Sequence, residues 1–178
     1  MANGVAETRN PTPSRTRTAW VAAALLAIVA IDQLTKIWAV AALSDGPAHV
    51  IGDFLLLEVT RNSGSAFSGF QGYTPILAVF AIVIAVFVAR AVRQATDRWM
   101  LVGLVLVLGG ALGNLVDRLV RSPGFLRGHV VDIVAVGSFP VFNFADSCIT
   151  IGAIVLIVRT LFGPAAAPTS TTTTTSAS

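Results

Sequence analysis

The sequence predicts an all-α membrane protein, a four-transmembrane-helix bundle with both termini cytoplasmic and a small extracytoplasmic β-rich segment between helices 1 and 2. Three observations predict it. Of 178 residues, 54% are hydrophobic and 12% charged, against roughly 25% charged in a soluble domain. Mean hydropathy is +0.79, and a domain of this length hides only about 70% of its unfolded surface, so much of the apolar surface must meet lipid. Lastly, the basic residues are distributed as topology signals: Arg9, Arg15 and Arg17 precede the first apolar run, Arg90, Arg93 and Arg98 lie between the second and third, and Arg159 ends the fourth. Only Arg61, Arg118, Arg121 and Arg127 fall on the other side, a bias that places both termini inside. A formal charge of +3 spread in this way forms no basic patch, and no nucleic-acid partner is expected.

Residues 1–18 are polar and rich in Pro, Thr and Arg, and read as a disordered cytoplasmic arm. A single membrane domain over 19–162 follows, with helices expected at about 19–43, 73–92, 99–117 and 142–161. The first spans a 30 Å hydrocarbon layer with some tilt, carries Trp20 and Trp38 near its ends, and interrupts its apolar run with Asp32, Gln33, Thr35 and Lys36. Its basic flank and the small residues Ala39-Val40-Ala41 also fit a cleavable signal. The charged residues ahead of that site and the three further apolar segments argue against cleavage. Helix 2 starts with Pro75 in its first turn, where no N–H is needed. Helix 3 contains Gly103, Gly109, Gly110 and Gly113, which permit close helix contact in a bilayer. Helix 4 carries Asp146 near its start, and 163–178 is a disordered Thr/Ser-rich tail. Between helices 1 and 2, His49 to Thr60 is rich in strand-forming residues and runs into the turn cluster Arg61-Asn62-Ser63-Gly64-Ser65.

An ionisable side chain inside a span costs at least roughly 2.5–3.5 kcal/mol, so each needs a partner or a purpose. Asp32 and Lys36, four apart, share a helix face and read as a neutralising pair. Asp117 and Arg118 read as a local ion pair at a solvated helix end, and Asn114 shares a face with Arg118. Asp132 lies in the strand-like Gly128-His129-Val130-Val131-Asp132-Ile133, and Asp146 follows at the top of helix 4, with Gly137 and Pro140 allowing the chain to turn back between them. Two carboxyl groups about 3 Å apart cannot both ionise, so such a pair would keep one proton and activate water with the other group. Asn143, Arg118 and Asn114 are available donors beside it. From spacing alone, separately paired interfacial acids or a proton pathway remain open. The lone Cys148 excludes an internal disulfide, and His49 and His129 are too isolated to mark a metal site, so neither metal nor cofactor is expected. No GxSxG elbow accompanies the serines.

Taken together, Asp32-Gln33-Leu34-Thr35-Lys36, Asn62-Ser63-Gly64-Ser65-Ala66-Phe67-Ser68, the run from Gly109 to Arg118, Val130-Val131-Asp132 and Phe139-Pro140-Val141-Phe142-Asn143-Phe144-Ala145-Asp146 resemble the bacterial lipoprotein signal peptidase family over roughly Trp20 to Leu161. The resemblance implies a membrane aspartyl endopeptidase that cuts prolipoproteins before a diacylglyceryl-modified cysteine. It implies Asp132 and Asp146 as the catalytic dyad, Asn62, Asn114, Arg118 and Asn143 as substrate-binding or supporting residues, and Asp32, Lys36 and Asp117 as structural polar residues. The implied partners are lipid-modified prolipoproteins and membrane lipid, with no obligate protein partner. The implied location is the bacterial inner membrane, with the site on the extracytoplasmic side. Where the family commonly has phenylalanine after the first catalytic motif this chain has Ile133, and the loop 133–138 looks short, which would alter access above the dyad. Phe54 to Leu57 would serve as a lid over the substrate.

Two other classes compete. A proton- or ion-coupled transporter would relay through Asp32, Asp117, Asp132 and Asp146, but would favour midplane acids and repeated halves. A scaffold without catalysis leaves the polar clusters unexplained.

Overall fold

The computed structural model of the protein describes residues 14–64 and 74–163. The arm 1–13, the motif residues Ser65 to Ser68 and the tail 164–178 lie outside the described residues. Among the described residues, four helices, each long and apolar enough to cross a membrane, form the bundle: α1 (Arg15–Ala42), α2 (Thr74–Gln94), α3 (Arg98–Val120) and α4 (Phe144–Phe162).

Their ends follow local chemistry. The Ser14 hydroxyl accepts from the Arg17 backbone N–H at 3.3 Å, so the helix starts four residues earlier than its hydropathy indicates and takes in Arg15 to Thr18 of the expected arm. Asp97 caps α3 by accepting from the N–H groups of Trp99 and Met100. That helix also runs on to Val120, which keeps Asp117 and Arg118 inside it. In place of a fourth helix from residue 142, Phe139–Phe142 is a strand, and Asn143 caps α4 behind it.

Helix α3 packs against the other three helices. Lipid tails are as apolar as leucine side chains, so close approach and polar contacts rather than the hydrophobic effect hold such helices together. Small residues provide the approach: a Cβ on Gly152 of α4 would lie 2.7 Å from the Gly103 carbonyl oxygen of α3, and one on Gly113 would lie 2.7 Å from the Asp32 carboxylate of α1. A compact apolar core joins Ala85, Val88 and Val92 of α2 to Val105 and Leu108 of α3. Large side chains such as Trp20, Phe87 and Phe162 stand exposed around the outside, as a lipid-facing surface requires.

The two ends of the bundle differ. At one end Arg17 donates to the carbonyl oxygens of Val92 and Ala95, and Arg159 forms a two-pronged ion pair with Asp97 at 2.8 Å, so the start of α1 and the end of α4 lie together. At the other end sits an antiparallel sheet of β1 (Ala48–Ile51), β2 (Leu55–Asn62), β3 (Val130–Val136) and β4 (Phe139–Phe142), in that spatial order. The sheet therefore extends the expected β segment: half of it comes from between α3 and α4. The stretch expected as a short loop, 133–138, is mostly strand β3, turned into β4 at Gly137 with φ +52°. Ile133 packs with Val131 and Ala39, on the face opposite Asp132 by strand alternation, and so does not sit above the acid. Leu55, Leu56 and Leu57 pair with Val136, Ala135 and Val134, so any movement of this segment over a substrate would carry the sheet with it.

Candidate active site

Where the sheet meets the bundle, β2, β3, α3 and α4 each contribute polar side chains. Asp132 on β3 is 2% exposed, and Thr60 and Asn62 of β2 are registered against Asp132 and Val130. Asn62 lies diagonally opposite the acid and donates to Asp132 Oδ2 at 3.1 Å. Asn143 donates from Nδ2 to Asp132 Oδ1 at 2.7 Å, and its backbone N–H reaches Asp146 Oδ2 at 3.2 Å. The same residue thus bridges the two carboxyl groups. Asn114 on α3 donates to Asp146 Oδ1 at 2.8 Å.

Each of these three amides is held in one orientation. An amide whose oxygen accepts from a fixed donor must turn its NH2 the other way. The Asn62 oxygen accepts from the Gly64 N–H at 2.8 Å, that of Asn143 from the Asp146 N–H at 3.0 Å, and that of Asn114 from Lys36 Nζ at 3.0 Å. All three NH2 groups consequently face the carboxyl groups. The Asn143–Asp146 exchange is also a capping box, so the turn that starts α4 and the link between the acids are one structure.

Behind them lies a buried ionic network. Lys36, fully buried, contacts Asp32 Oδ2 and Asp117 Oδ2, both at 2.8 Å. Asp117 is paired also with Arg121 at 2.6 Å rather than with Arg118, and it is buried rather than solvated. Gln33 donates to both acids at 3.1 Å. The network reaches the site through the backbone. Asp117 Oδ2 accepts from the Val131 N–H at 3.2 Å and Asp32 Oδ1 from the Ala145 N–H at 3.1 Å, one residue before each of the paired acids. The Asp32–Lys36 pair is the one that i, i+4 spacing indicates; Gln33 and Arg121 join it as residues that sequence reasoning missed, although Asp117 and Arg121 have the same spacing.

Arg118 lies within electrostatic reach of Asp132 and Asp146. Among the described residues, its Nη1 is the one buried side-chain nitrogen or oxygen without a hydrogen-bond partner. Burial is the main force on Asp132 and pushes its carboxyl up to about 6, with the nearby charge of Asp146 adding to the rise and the Asn62 and Asn143 hydrogen bonds opposing it. Asp146 is half-buried and opens on a groove of about 500 Å³ lined by Phe139, Pro140, Phe142, Thr150 and Ile151. The arrangement offers a protonatable buried acid, a second carboxyl at the groove wall and fixed donors around both. No cluster of metal-ligating side chains occurs among the described residues.

A family model described as Signal peptidase (SPase) II matches residues 24–162. A lipoprotein signal peptidase of Rhodococcus jostii (strain RHA1) is 52% identical over 137 residues, which cover 76% of this chain and 69% of that protein. One of Mycobacterium tuberculosis (strain ATCC 25618 / H37Rv) is 42% identical over 163 residues, covering 91% and 80%. A bacterial membrane enzyme structure determined by the in meso method at 1.9 Å resolution superposes with a TM-score of 0.68 at 30% identity, over 81% of this chain and 94% of that one.

Proposed function

The chain belongs to the signal peptidase II family, an aspartic-type peptidase family, and from that premise we propose that Asp132 and Asp146 are the two carboxyl groups with which it removes signal peptides from prolipoproteins. The observation that carries this is the set of three asparagine amides, each locked by its own oxygen and each aimed at one of these acids.

In this reading Asp132, whose carboxyl burial pushes up to about 6, is the member of the pair that carries the proton and donates a hydrogen bond to the scissile carbonyl. Asp146, in the first turn of α4 beside the positive end of the helix dipole, takes a proton from water as the water oxygen attacks the carbonyl carbon. The carbonyl oxygen takes the proton from Asp132 and a tetrahedral diol forms. Its collapse breaks the C–N bond, passes a proton from Asp146 to the leaving amine and returns one to Asp132, so the pair ends as it began. The free Nη1 of Arg118 is placed to hold a peptide carbonyl of the substrate. The apolar groove beside Asp146 suits the acyl chains of a diacylglyceryl-modified cysteine. The arginine bias puts the helix ends near Arg17 and Arg159 in the cytoplasm and the acids at the outer surface of the inner membrane, where such a lipid would present the bond.

A shared proton makes cleavage bell-shaped in pH. Below the lower limb both acids are protonated and none is left to activate water; above the upper limb neither holds a proton. Because Asp132 releases its proton near 6, kcat/KM is expected to fall as pH rises through that region. The upper limb of kcat is expected at higher pH, since bound lipid removes water from the buried acid. The test is cleavage of a lipid-modified prolipoprotein by purified enzyme across pH 4–9, an interval of about 5 units bracketing the carboxyl range. A rate without an upper limb would contradict the assignment.

A further inference from the structure

Among the described residues, Lys36 is the one cation hydrogen-bonded to the asparagine layer: its Nζ meets Asn114 Oδ1 at 3.0 Å while also paired with Asp32 and Asp117. An ammonium group only donates, so the atom of Asn114 facing it must be the oxygen. The NH2 is thereby left for Asp146, 2.8 Å away. Without Lys36 the Asn114 oxygen retains a longer bond, 3.2 Å, from Asn143 Nδ2, a group already engaged with Asp132 at 2.7 Å. With that weaker hold on its oxygen, the amide is less firmly fixed in the position from which its NH2 donates to Asp146.

We propose that Lys36 is a positioning residue for the cleavage reaction, acting through the Asn114 amide, and not only a neutralising partner for two buried acids. The inference rests on the assignment of Asp132 and Asp146 as the reacting pair. Lys36 is fully buried and contacts Asp32, Asp117 and Asn114 rather than either carboxyl group of the pair, so it acts through Asn114 and does not itself react. The charged groups around the pair are Asp32 and Lys36 from α1, Asp117, Arg118 and Arg121 from α3, and the two acids themselves.

Lys36→Met alone strands two buried carboxylates, so the test uses Asp32→Asn with Lys36→Met, which removes one charge of each sign. The amide introduced by Asp32→Asn keeps an oxygen for the Ala145 N–H, and Asp117 keeps Arg121 and Gln33. Cleavage of a lipid-modified prolipoprotein is measured for wild type, this double variant, Asn114→Ala and the triple variant, all purified in detergent and checked for folding by thermal unfolding. Loss of one oriented hydrogen bond corresponds to about tenfold in rate. The double variant is expected to lose about tenfold in kcat with KM unchanged, and the same two changes are expected to alter kcat by less than about twofold when Asn114 is already alanine. Additive losses in the triple variant overturn the positioning role while leaving the catalytic pair intact. An Asn114→Ala enzyme with unchanged kcat overturns the role of Asn114 at Asp146 itself. Should the double variant fail to fold, Asp32→Asn with Lys36→Gln decides: the glutamine NH2 is expected to donate to the Asn114 oxygen in place of the ammonium and to keep kcat within about twofold of Asp32→Asn alone, and a loss of about tenfold in this folded variant overturns the proposal.

Discussion

Asn143 caps a helix with its side-chain oxygen, holds one carboxyl group with its side-chain nitrogen and reaches the other with its backbone N–H. Its oxygen accepts from the Asp146 N–H, and its nitrogen donates to Asp132. These duties are separable. Asn143→Ser keeps an oxygen suited to the cap, so α4 is expected to lose no more than about 1 kcal/mol in unfolding. Serine is too short to reach Asp132 from there, and the rate of prolipoprotein cleavage is expected to fall about tenfold or more. Comparing thermal unfolding with turnover checks both halves; equal losses in stability and in rate would mean that the bridge to Asp132 contributes nothing of its own. At this scale, helix spacing in the sequence indicates the Asp32–Lys36 pair because both residues lie on one helix face. Within α3, Asp117 pairs with Arg121 and not with the adjacent Arg118, because neighbouring residues on a helix point apart while those at i, i+4 meet. The orientation of Asn114 has no sequence signal, since its donor, Lys36, is brought to it from another helix by the fold, whereas Asn62 and Asn143 are oriented by local donors, the Gly64 N–H two residues on and the Asp146 N–H of a capping box.

The elements explain why the acids meet. Asp132 rides on a strand and Asp146 on the first turn of a helix, with the hairpin from β3 to β4 returning the chain in a tight turn at Gly137. The helices are legible in the sequence because a long apolar run has one structure available to it in lipid. Their ends are less so. Ser14 draws α1 back to Arg15, and Asn143 delays α4 to Phe144, because capping overrides hydropathy at termini. The first outer segment reads as β through its residue types, but its pairing with β3 joins Asn62 to Val130, a non-local match that no local pattern encodes. The sheet gives Asp132 a rigid support and brings Asn62 to it, so the pairing that the sequence hides is also the reason for that asparagine's place in the site.

For the whole molecule, the buried network of charges and amides lies at one end of an apolar bundle. Buried charge within the bundle is concentrated where α1, α3 and α4 converge beneath the sheet, and it is close to balanced, with Lys36 and Arg121 set against Asp32 and Asp117. The proposed orientation has a direct check. Ser138 lies exposed in the turn at the sheet end, and the one native cysteine, Cys148, is buried. In intact cells, a Ser138→Cys variant is expected to react with a membrane-impermeant maleimide reagent applied outside the inner membrane, whereas Thr96→Cys, at the opposite end between α2 and α3, is expected to stay unlabelled. The reverse pattern would put the acids on the cytoplasmic side. The most direct measurement for the account as a whole is cleavage of a diacylglyceryl-modified prolipoprotein, followed by gel mobility, for purified wild type beside Asp132→Asn and Asp146→Asn. Each substitution preserves shape and removes an acid. Wild type is expected to cut before the lipidated cysteine, and each folded variant to lose roughly a thousandfold or more in rate. A folded variant of either acid that cuts at a rate near that of wild type would contradict the paired-carboxyl mechanism.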